Sequence, residues 1–394
     1  MTRSVLLVTP LWTRDGGVAT HVEASAAALA RAGVEVHVLA ARDELRQPLD
    51  GVTVHTSSEL FDDAAPIERR IGAALSREYS AIHTHQFDEP LVTARLRRRA
   101  PLLSSVHGFS ACTSGVHYFR PGHECQRAHG PGCAANLLSR GCAHTRDLRW
   151  LPHSYRRAGA AQSSLRGCDL TITYSRAIDR HMAINGVERR AIVPLFSTVP
   201  VARGSGHESR RRVVFAGRLV RPKGAEVLID AVASIDAELV ICGSGRRLEA
   251  LRRLAKRREI AERVRFAGWL GPEQLAHQLA EASVVAIPSL WPEPFGLVGI
   301  EALAAGRPVV ASATGGVEDW LEDGRSGLCV RPGDAKALAR ALGELLADPR
   351  RQQEMGAVGQ AAVGERFTEQ RHVAALLDAY ATARRHWEQT GGAR

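Results

Sequence analysis

Lysine is almost absent from this sequence, and long hydrophobic runs are missing altogether. Only three of its 52 basic residues are lysines, at positions 223, 256 and 336, so the formal charge of +10 rests on arginine. No apolar stretch approaches the roughly 20 residues that span a bilayer, which argues against a membrane-spanning protein. Aromatic residues make up only 5% and never alternate with basic ones, so nucleic-acid binding is not expected.

Cysteine is also too sparse to organise the fold. Seven cysteines in 394 residues are an odd number and far from the density of a secreted disulfide scaffold. We therefore expect a cytoplasmic protein. Its 45% hydrophobic and 24% charged residues are those of a globular chain, and its length predicts two domains.

The order of the predicted elements indicates the fold class. Short apolar strands such as Val5–Val8 alternate with amphipathic helices, which predicts parallel sheets. The polar segment 201–212 has no apolar period and is interpreted as a linker. We predict an α/β protein with two doubly wound, Rossmann-like domains facing across an interdomain cleft, residues 1–200 and 201–369. The final residues, 370–394, are expected to form a helix that packs back on the first domain.

Two motifs in the second half carry chemistry. Arg218 follows a predicted strand and Lys223 precedes a helix, so two cations and a positive helix end can meet one diphosphate. A surface loop with two cations is the alternative. Further on, Glu293 lies in a loop and Glu301 in the helix after it, where carboxylates can accept hydrogen bonds from sugar hydroxyls. Stabilisation of the helix dipole would explain Glu301 alone.

These segments carry a family resemblance. FAGRL, RPKG, CGSG, VRFAGWL, PSLWPEPFGLVGIEALAAGRPVVAS and GGVEDWL occur in this order between Val213 and Arg331. They resemble the donor half of the retaining, nucleotide-sugar-dependent glycosyltransferases of family 4, which have the GT-B fold. In the first half, Gly16-Gly17, Ile82-His83-Thr84-His85 and Val106-His107-Gly108 are placed as in that family, more weakly.

The resemblance implies a role for each matching residue. Arg218 and Lys223 would grip the diphosphate and stabilise its charge as it leaves, Glu293 would bind the donor sugar, and His107 would touch that sugar near the reacting centre. The remaining donor-binding positions, from the ribose-binding Glu301 to glycines that let the backbone approach closely, are Gly16, Gly17, Gly217, Gly268, Trp269, Phe295, Gly296, Leu297 and Glu301.

The implied reaction is transfer of a sugar, with retained configuration, from a UDP- or GDP-sugar to an acceptor hydroxyl. It needs no metal if Arg218, Lys223 and helix ends stabilise the leaving group, and the family's front-face mechanism needs no carboxylate nucleophile. The acceptor would be a lipid-linked sugar, a polysaccharide or a small molecule, as in cell-envelope or secondary-metabolite glycosylation. The alternatives are a GT-B sugar-nucleotide epimerase and an inactive nucleotide-sugar-binding protein.

One segment, residues 107–153, fits no pattern. It has frequent glycine and proline and contains four of the seven cysteines, Cys112, Cys125, Cys133 and Cys142. Three interpretations remain open: an acceptor-side insertion with unpaired thiols, a structural zinc or iron–sulfur site, or two disulfides. The lack of a C-x-x-C pair weakens the zinc interpretation.

A basic run occupies the end of a predicted helix in the first domain. Arg95, Arg97, Arg98 and Arg99 can simply complement the negative helix C-terminus. They could also dock the protein peripherally on the anionic inner face of a membrane, where a lipid-linked acceptor would lie.

Overall fold

The structure is a computed structural model that describes residues 4–13, 16–45, 48–60, 62, 65–75, 77–85, 89–113, 118–120, 123–139, 142, 148–201 and 211–392. The strands are β1 (Ser4–Trp12), β2 (Glu35–Asp43), β3 (Val52–Thr56), β4 (Ala81–His85), β5 (Leu102–Ser105), β6 (Tyr118–Arg120), β7 (His123–Glu124), β8 (Leu170–Thr173), β9 (Arg190–Ile192), β10 (Arg212–Ala216), β11 (Glu238–Cys242), β12 (Val264–Gly268), β13 (Val284–Ile287), β14 (Val309–Ser312) and β15 (Gly327–Val330). The α-helices are α1 (Gly17–Arg31), α2 (Ile67–Leu75), α3 (Pro90–Arg97), α4 (Gly132–Ser139), α5 (Leu151–Gly167), α6 (Arg176–Ile184), α7 (Ala225–Val232), α8 (Leu248–Arg257), α9 (Pro272–Ala280), α10 (Leu297–Ala304), α11 (Ala335–Ala347), α12 (Pro349–Arg366) and α13 (Glu369–Gln389).

The chain forms two compact units. The first contains residues 1–116, 126–194 and 369–394, and the second contains residues 117–125 and 195–368. The sequence prediction placed the boundary at residue 200 and the whole segment 107–153 in the first domain. Instead, nine residues of that segment group with the second unit. Most of the predicted linker, residues 202–210, lies outside the described residues.

The first unit is built on a seven-stranded parallel sheet with the order β3-β2-β1-β4-β5-β8-β9. Its central strands are buried, as the apolar run Val5–Val8 predicts for a sheet covered on both faces. Helix α13, at the end of the chain, packs against β5, β8 and α1 of this unit. The Tyr380 hydroxyl reaches His83 Nδ1 at 3.0 Å.

The second unit has a six-stranded parallel sheet with the order β12-β11-β10-β13-β14-β15. Strand order reverses between β10 and β13, because β11 and β12 lie on one side and β14 and β15 on the other. In open parallel sheets, ligands bind beyond the carboxyl ends of the strands at such a switch point. The loops after β10 and β13 are therefore where a site is expected. None of the helices in the described ranges is long and apolar enough to cross a membrane.

Buried histidines gather near the carboxyl ends of the strands in the first unit. His83 and His85 lie on β4, and His21 on α1 contacts His372 with ring centroids 5.0 Å apart. A hydrogen-bond chain runs from His21 through Ser25 Oγ to His372 Nε2, whose ring is also bonded to the Pro194 carbonyl. Burial lowers the pKa of His83 to about 3 and that of His372 to about 4, so these rings are neutral at pH 7.

This cluster predicts acid-sensitive stability. Because the folded pKa of His372 lies below the unfolded value near 6.5, its contribution to stability is present above that value and is lost as the pH falls toward 4. By linkage, His372 alone should cost about 2 kcal/mol at pH 5. Urea unfolding should show that the free energy of unfolding decreases less between pH 7.5 and pH 5 in His372→Gln than in the wild type. The exposed-site variant His277→Gln should keep the wild-type slope; equal slopes in all three proteins would contradict this account.

Candidate active site

A buried ion pair lies at the switch point of the second unit. Lys223 is in a 3-10 turn just after β10, and Glu293 is in the loop after β13. The Lys223 ammonium donates to both carboxylate oxygens of Glu293, at 2.7 and 2.9 Å. The Glu293 side chain is only 2% exposed, whereas that of Lys223 is 23% exposed. The carboxylate is thus buried inside the unit, whereas the lysine side chain is partly exposed to solvent.

The neighbours of this pair keep Glu293 ionised. The Ser289 hydroxyl donates to the same carboxylate, and the Trp291 ring lies 5.8 Å from the Lys223 ammonium. Burial alone would raise the pKa of Glu293, but the charge of Lys223 and the hydrogen bonds from Lys223 and Ser289 outweigh it and hold the pKa below its usual value. Neither Ser289 nor Trp291 was predicted as a site residue, although both lie in the PSLWPE stretch.

Close backbone packing brings the two loops together. Gly224 ends the 3-10 turn with φ +71°, and a Cβ there would lie 1.9 Å from the Pro288 carbonyl oxygen. The Leu290 amide also donates to the Pro222 carbonyl at 2.8 Å. Only glycine fits at position 224, for both conformational and steric reasons. Lys223 and Glu293 meet because of this contact.

The second predicted carboxylate, Glu301, lies in α10 and is also buried. Its described hydrogen bond comes from the Thr198 hydroxyl at 3.4 Å. Burial raises the pKa of Glu301 to about 7, since no cation in the described part of the chain offsets it. Thr198 was not among the predicted site residues, and nothing in the sequence indicated its contact with Glu301.

The start of α10 is fixed by Trp320. Its indole Nε1 donates to the Phe295 carbonyl at 2.7 Å, and its ring lies where a Cβ on Gly296 would be 3.4 Å away. Gly296 has φ +96°, which turns the chain so that the helix begins at Leu297. The positive N-terminal end of the helix therefore lies next to the loop that carries Glu293.

The other predicted residues of the second unit lie at the ends of β10 and β12. Arg218 is exposed directly after β10, and Gly217 is held by a bond from its amide to the Cys242 carbonyl. Gly268 ends β12 with φ +73°, and the Trp269 side chain beside it is 52% exposed. All of them follow the carboxyl ends of β10 and β12, on the same edge of the sheet as the ion pair.

In the first unit, the predicted residues Gly16, Gly17 and His107 lie at the carboxyl ends of β1 and β5. Gly16 has φ +99° and precedes α1, which begins at Gly17. His107 Nε2 is 3.0 Å from His85 Nδ1, and burial and the neighbouring His85 hold the pKa of His107 well below its usual value. His107 is therefore a neutral ring in contact with the histidine cluster.

Residues 107–153, called the Cys/His-rich segment below, are only partly described. Cys112, Cys125, Cys133 and Cys142 are all half-buried, and among the described residues no group of three or more His, Cys, Asp or Glu side chains could hold a metal ion. Cys133 is a free thiol whose sulfur lies 3.9 Å from the Ala128 carbonyl oxygen. A free Cys133 leaves too few partners for the hypothesis of two disulfides among these four cysteines.

The basic run at the end of α3 has a structural use. Arg97 donates twice to the buried carboxylate of Asp169, which also accepts from the Leu102 amide and contacts His386. Arg98 and Arg99 are exposed. Of the four arginines, Arg97 therefore has a structural role, because it pairs with a buried carboxylate of the first unit.

A solved structure shows the same fold. The Anabaena protein HepE in complex with UDP-glucose matches with a TM-score of 0.73 over 95% of this chain and 99% of its own, at 22% identity. This likeness defines the class, two parallel-sheet α/β domains of the GT-B type, as predicted.

Family models then identify the chain. The model of glycosyltransferase family 4 matches residues 15–196, and the model of group 1 glycosyl transferases matches residues 202–361. The chain therefore belongs to the family 4 glycosyltransferases.

The curated relatives match over part of their length. A D-inositol 3-phosphate glycosyltransferase of Streptomyces scabiei is 40% identical over 43% of this chain. A GDP-mannose-dependent phosphatidylinositol monomannoside mannosyltransferase of Mycolicibacterium smegmatis is 39% identical over 39% of this chain. The matches span only 41% and 44% of these relatives.

The ion pair yields a stability prediction. Lys223→Met leaves the Glu293 carboxylate buried without a cation, which should cost about 3–5 kcal/mol of unfolding free energy at pH 8. The cost should shrink at pH 5, because the unpaired carboxyl can then take up a proton. Urea unfolding would measure both values. The double variant Lys223→Met/Glu293→Gln should recover most of the loss, and Lys336→Met, at an exposed lysine, should cost nothing. A single variant as stable as wild type would show that the pair contributes little.

Proposed function

We propose that this protein transfers a sugar from a nucleotide diphosphate donor to an acceptor hydroxyl, with retention at the anomeric carbon. The observation that carries the proposal is the Lys223–Glu293 pair at the switch point of the second unit. It puts a cation and a hydrogen-bond-accepting carboxylate within 3 Å of each other, and a nucleotide sugar offers a diphosphate and hydroxyls in the same proximity.

In this mechanism the bound donor separates Lys223 from Glu293. The diphosphate draws Lys223 toward itself, together with Arg218, while the Glu293 carboxylate exchanges the ammonium for the sugar hydroxyls. As the bond from the anomeric carbon to the phosphate oxygen breaks, negative charge grows on that oxygen. Fixed cations are most effective there, since they stabilise the transition state more than the ground state. The released phosphate oxygen takes the proton of the acceptor hydroxyl, so no carboxylate nucleophile is needed.

The base and ribose would bind at the other edge of the site. Glu301 accepts hydrogen bonds from the ribose hydroxyls in its ionised form, and Trp269 and Gly268 contact the base. UDP and GDP are both candidates, since the printed name of one relative specifies GDP-mannose and a structural neighbour binds UDP-glucose. Arg218, Lys223 and the start of α10 supply the positive charge that a metal would otherwise supply, which supports a metal-independent reaction. Binding of an anionic membrane by Arg98 and Arg99 stays a prediction, as does the acceptor.

A thermal-shift screen of UDP-, GDP-, ADP- and dTDP-sugars tests donor binding. A donor at 100 times its dissociation constant should stabilise the protein by about 2.7 kcal/mol. NMR of the product should show the anomeric configuration of the donor, and EDTA should leave the rate unchanged. Donor consumption without an acceptor and with a changed sugar would favour an epimerase, and binding without turnover would favour the inactive binding protein.

Arg218 provides the sharpest test of the site. Its side chain is exposed, so Arg218→Ala should fold normally, while the loss of one fixed charge at the leaving group should reduce kcat about 100-fold. Steady-state rates with the best donor from the screen would measure the effect. Arg253→Ala removes another exposed arginine, on α8, and should retain full activity. Near-normal turnover of Arg218→Ala would overturn the assignment of this loop.

A further inference from the structure

Glu124, from the Cys/His-rich segment, contacts a turn of the second unit. Its carboxylate oxygen Oε1 accepts a hydrogen bond from the Gly315 amide at 3.0 Å and another from the Thr314 hydroxyl at 3.3 Å. Glu124 lies on β7, which pairs with β6 in a two-stranded antiparallel sheet, and it belongs to the second unit together with Thr314 and Gly315. One oxygen atom thus holds two consecutive residues of the turn after β14.

That turn packs directly on the main chain of Glu293. The Gly316 amide donates to the Glu293 carbonyl at 2.7 Å, and Gly315 and Glu293 form a parallel bridge. Gly315 has φ +62°, and a Cβ there would lie 2.3 Å from the Glu293 carbonyl oxygen and 2.4 Å from its nitrogen. With such close contact, a shift of this turn must be accompanied by a shift of Glu293.

We propose that Glu124 is a positioning residue for Glu293, a role that rests on the function proposed above. Lys223 and Ser289 hold the Glu293 carboxylate from one side, and Glu124 holds its main chain from the other through the Thr314–Gly316 turn. A carboxylate suits this task because hydrogen bonds to an ionised acceptor are about twice as strong as neutral ones. The Cys/His-rich segment thereby contributes to sugar binding without touching the sugar.

The proposal distinguishes the two ends of the donor. Glu293 is assigned to the sugar, whereas Arg218, Glu301 and Trp269 are assigned to the nucleotide. Loosening the turn should therefore impair the use of the sugar and leave the affinity for the bare nucleotide intact. A general loss of structure would affect both.

The experiment compares Glu124→Ala, Glu124→Gln and the control Gln126→Ala, whose side chain is exposed two residues further on. Calorimetry would measure UDP and GDP binding, and steady-state assays would use UDP-glucose or GDP-mannose, whichever the wild type turns over. We expect Glu124→Ala to reduce kcat/KM about tenfold, with nucleotide affinity within twofold of wild type. Glu124→Gln should retain most activity, since its amide oxygen can still accept from the Gly315 amide. Hydrogen exchange at the Gly316 amide should be faster than in the wild type in Glu124→Ala, but not in Glu124→Gln or Gln126→Ala.

The other outcomes are equally informative. Unchanged turnover and exchange in Glu124→Ala, with an active wild type, would overturn the role of Glu124 alone. A higher nucleotide affinity or turnover rate in Glu124→Ala would also overturn it, because the contact between Glu124 and the turn would then hinder the reaction. A wild type that neither binds nucleotides nor turns over sugars would overturn the proposed function and this inference together. If Glu124→Ala fails to fold, Glu124→Asp, which shortens the side chain, should show the same loss of turnover at unchanged nucleotide affinity.

Discussion

A carboxylate buried at 2% exposure needs a cation or a proton, and Glu293 has Lys223. This pairing constrains the loops after β10 and β13, because each must present its residue within hydrogen-bond distance of the other. Gly224 allows the two loops to approach closely, and the Ser289 hydroxyl donates a further hydrogen bond to the carboxylate. The Thr314–Gly316 turn supports the main chain of Glu293. The site is thus assembled around one charge that the fold has removed from water.

The ion pair also keeps charged the two groups that the proposed reaction uses. A cation without a partner at this edge of the sheet would attract any anion, and a carboxylate without one would take up a proton. Paired, both remain charged, and under the proposed function a donor would replace one set of partners by another. Glu301 differs, because no cation faces it among the described residues and its pKa lies near 7.

The parallel sheets and the position of the candidate site could be predicted from the sequence. Apolar runs such as Val5–Val8 predict strands buried in parallel sheets, and the RPKG and PEPFG segments place Lys223 and Glu293 at strand ends, where parallel sheets carry their sites. Their direct contact was not predicted, because spacing along the chain does not give the distance between two loops. From the sequence, Lys223 was expected to bind the phosphate and Glu293 the sugar, with no bond between the two residues.

The Cys/His-rich segment was the least predictable part. It has no periodicity, so nothing indicated that Glu124 would group with the second unit. Unpaired thiols, as at Cys133, were one of three interpretations that the sequence left open. The histidine cluster was equally hidden, since His21 and His372 come from opposite ends of the chain and meet only because α13 packs on the first unit.

The most direct test of the central claim is a crystal structure with a bound nucleotide sugar. The account predicts the Lys223 ammonium within hydrogen-bond distance of a diphosphate oxygen, its contact with Glu293 lengthened, and the Glu293 carboxylate on a sugar hydroxyl. A donor bound elsewhere, with the Lys223–Glu293 pair intact and neither residue in contact with it, would contradict the account.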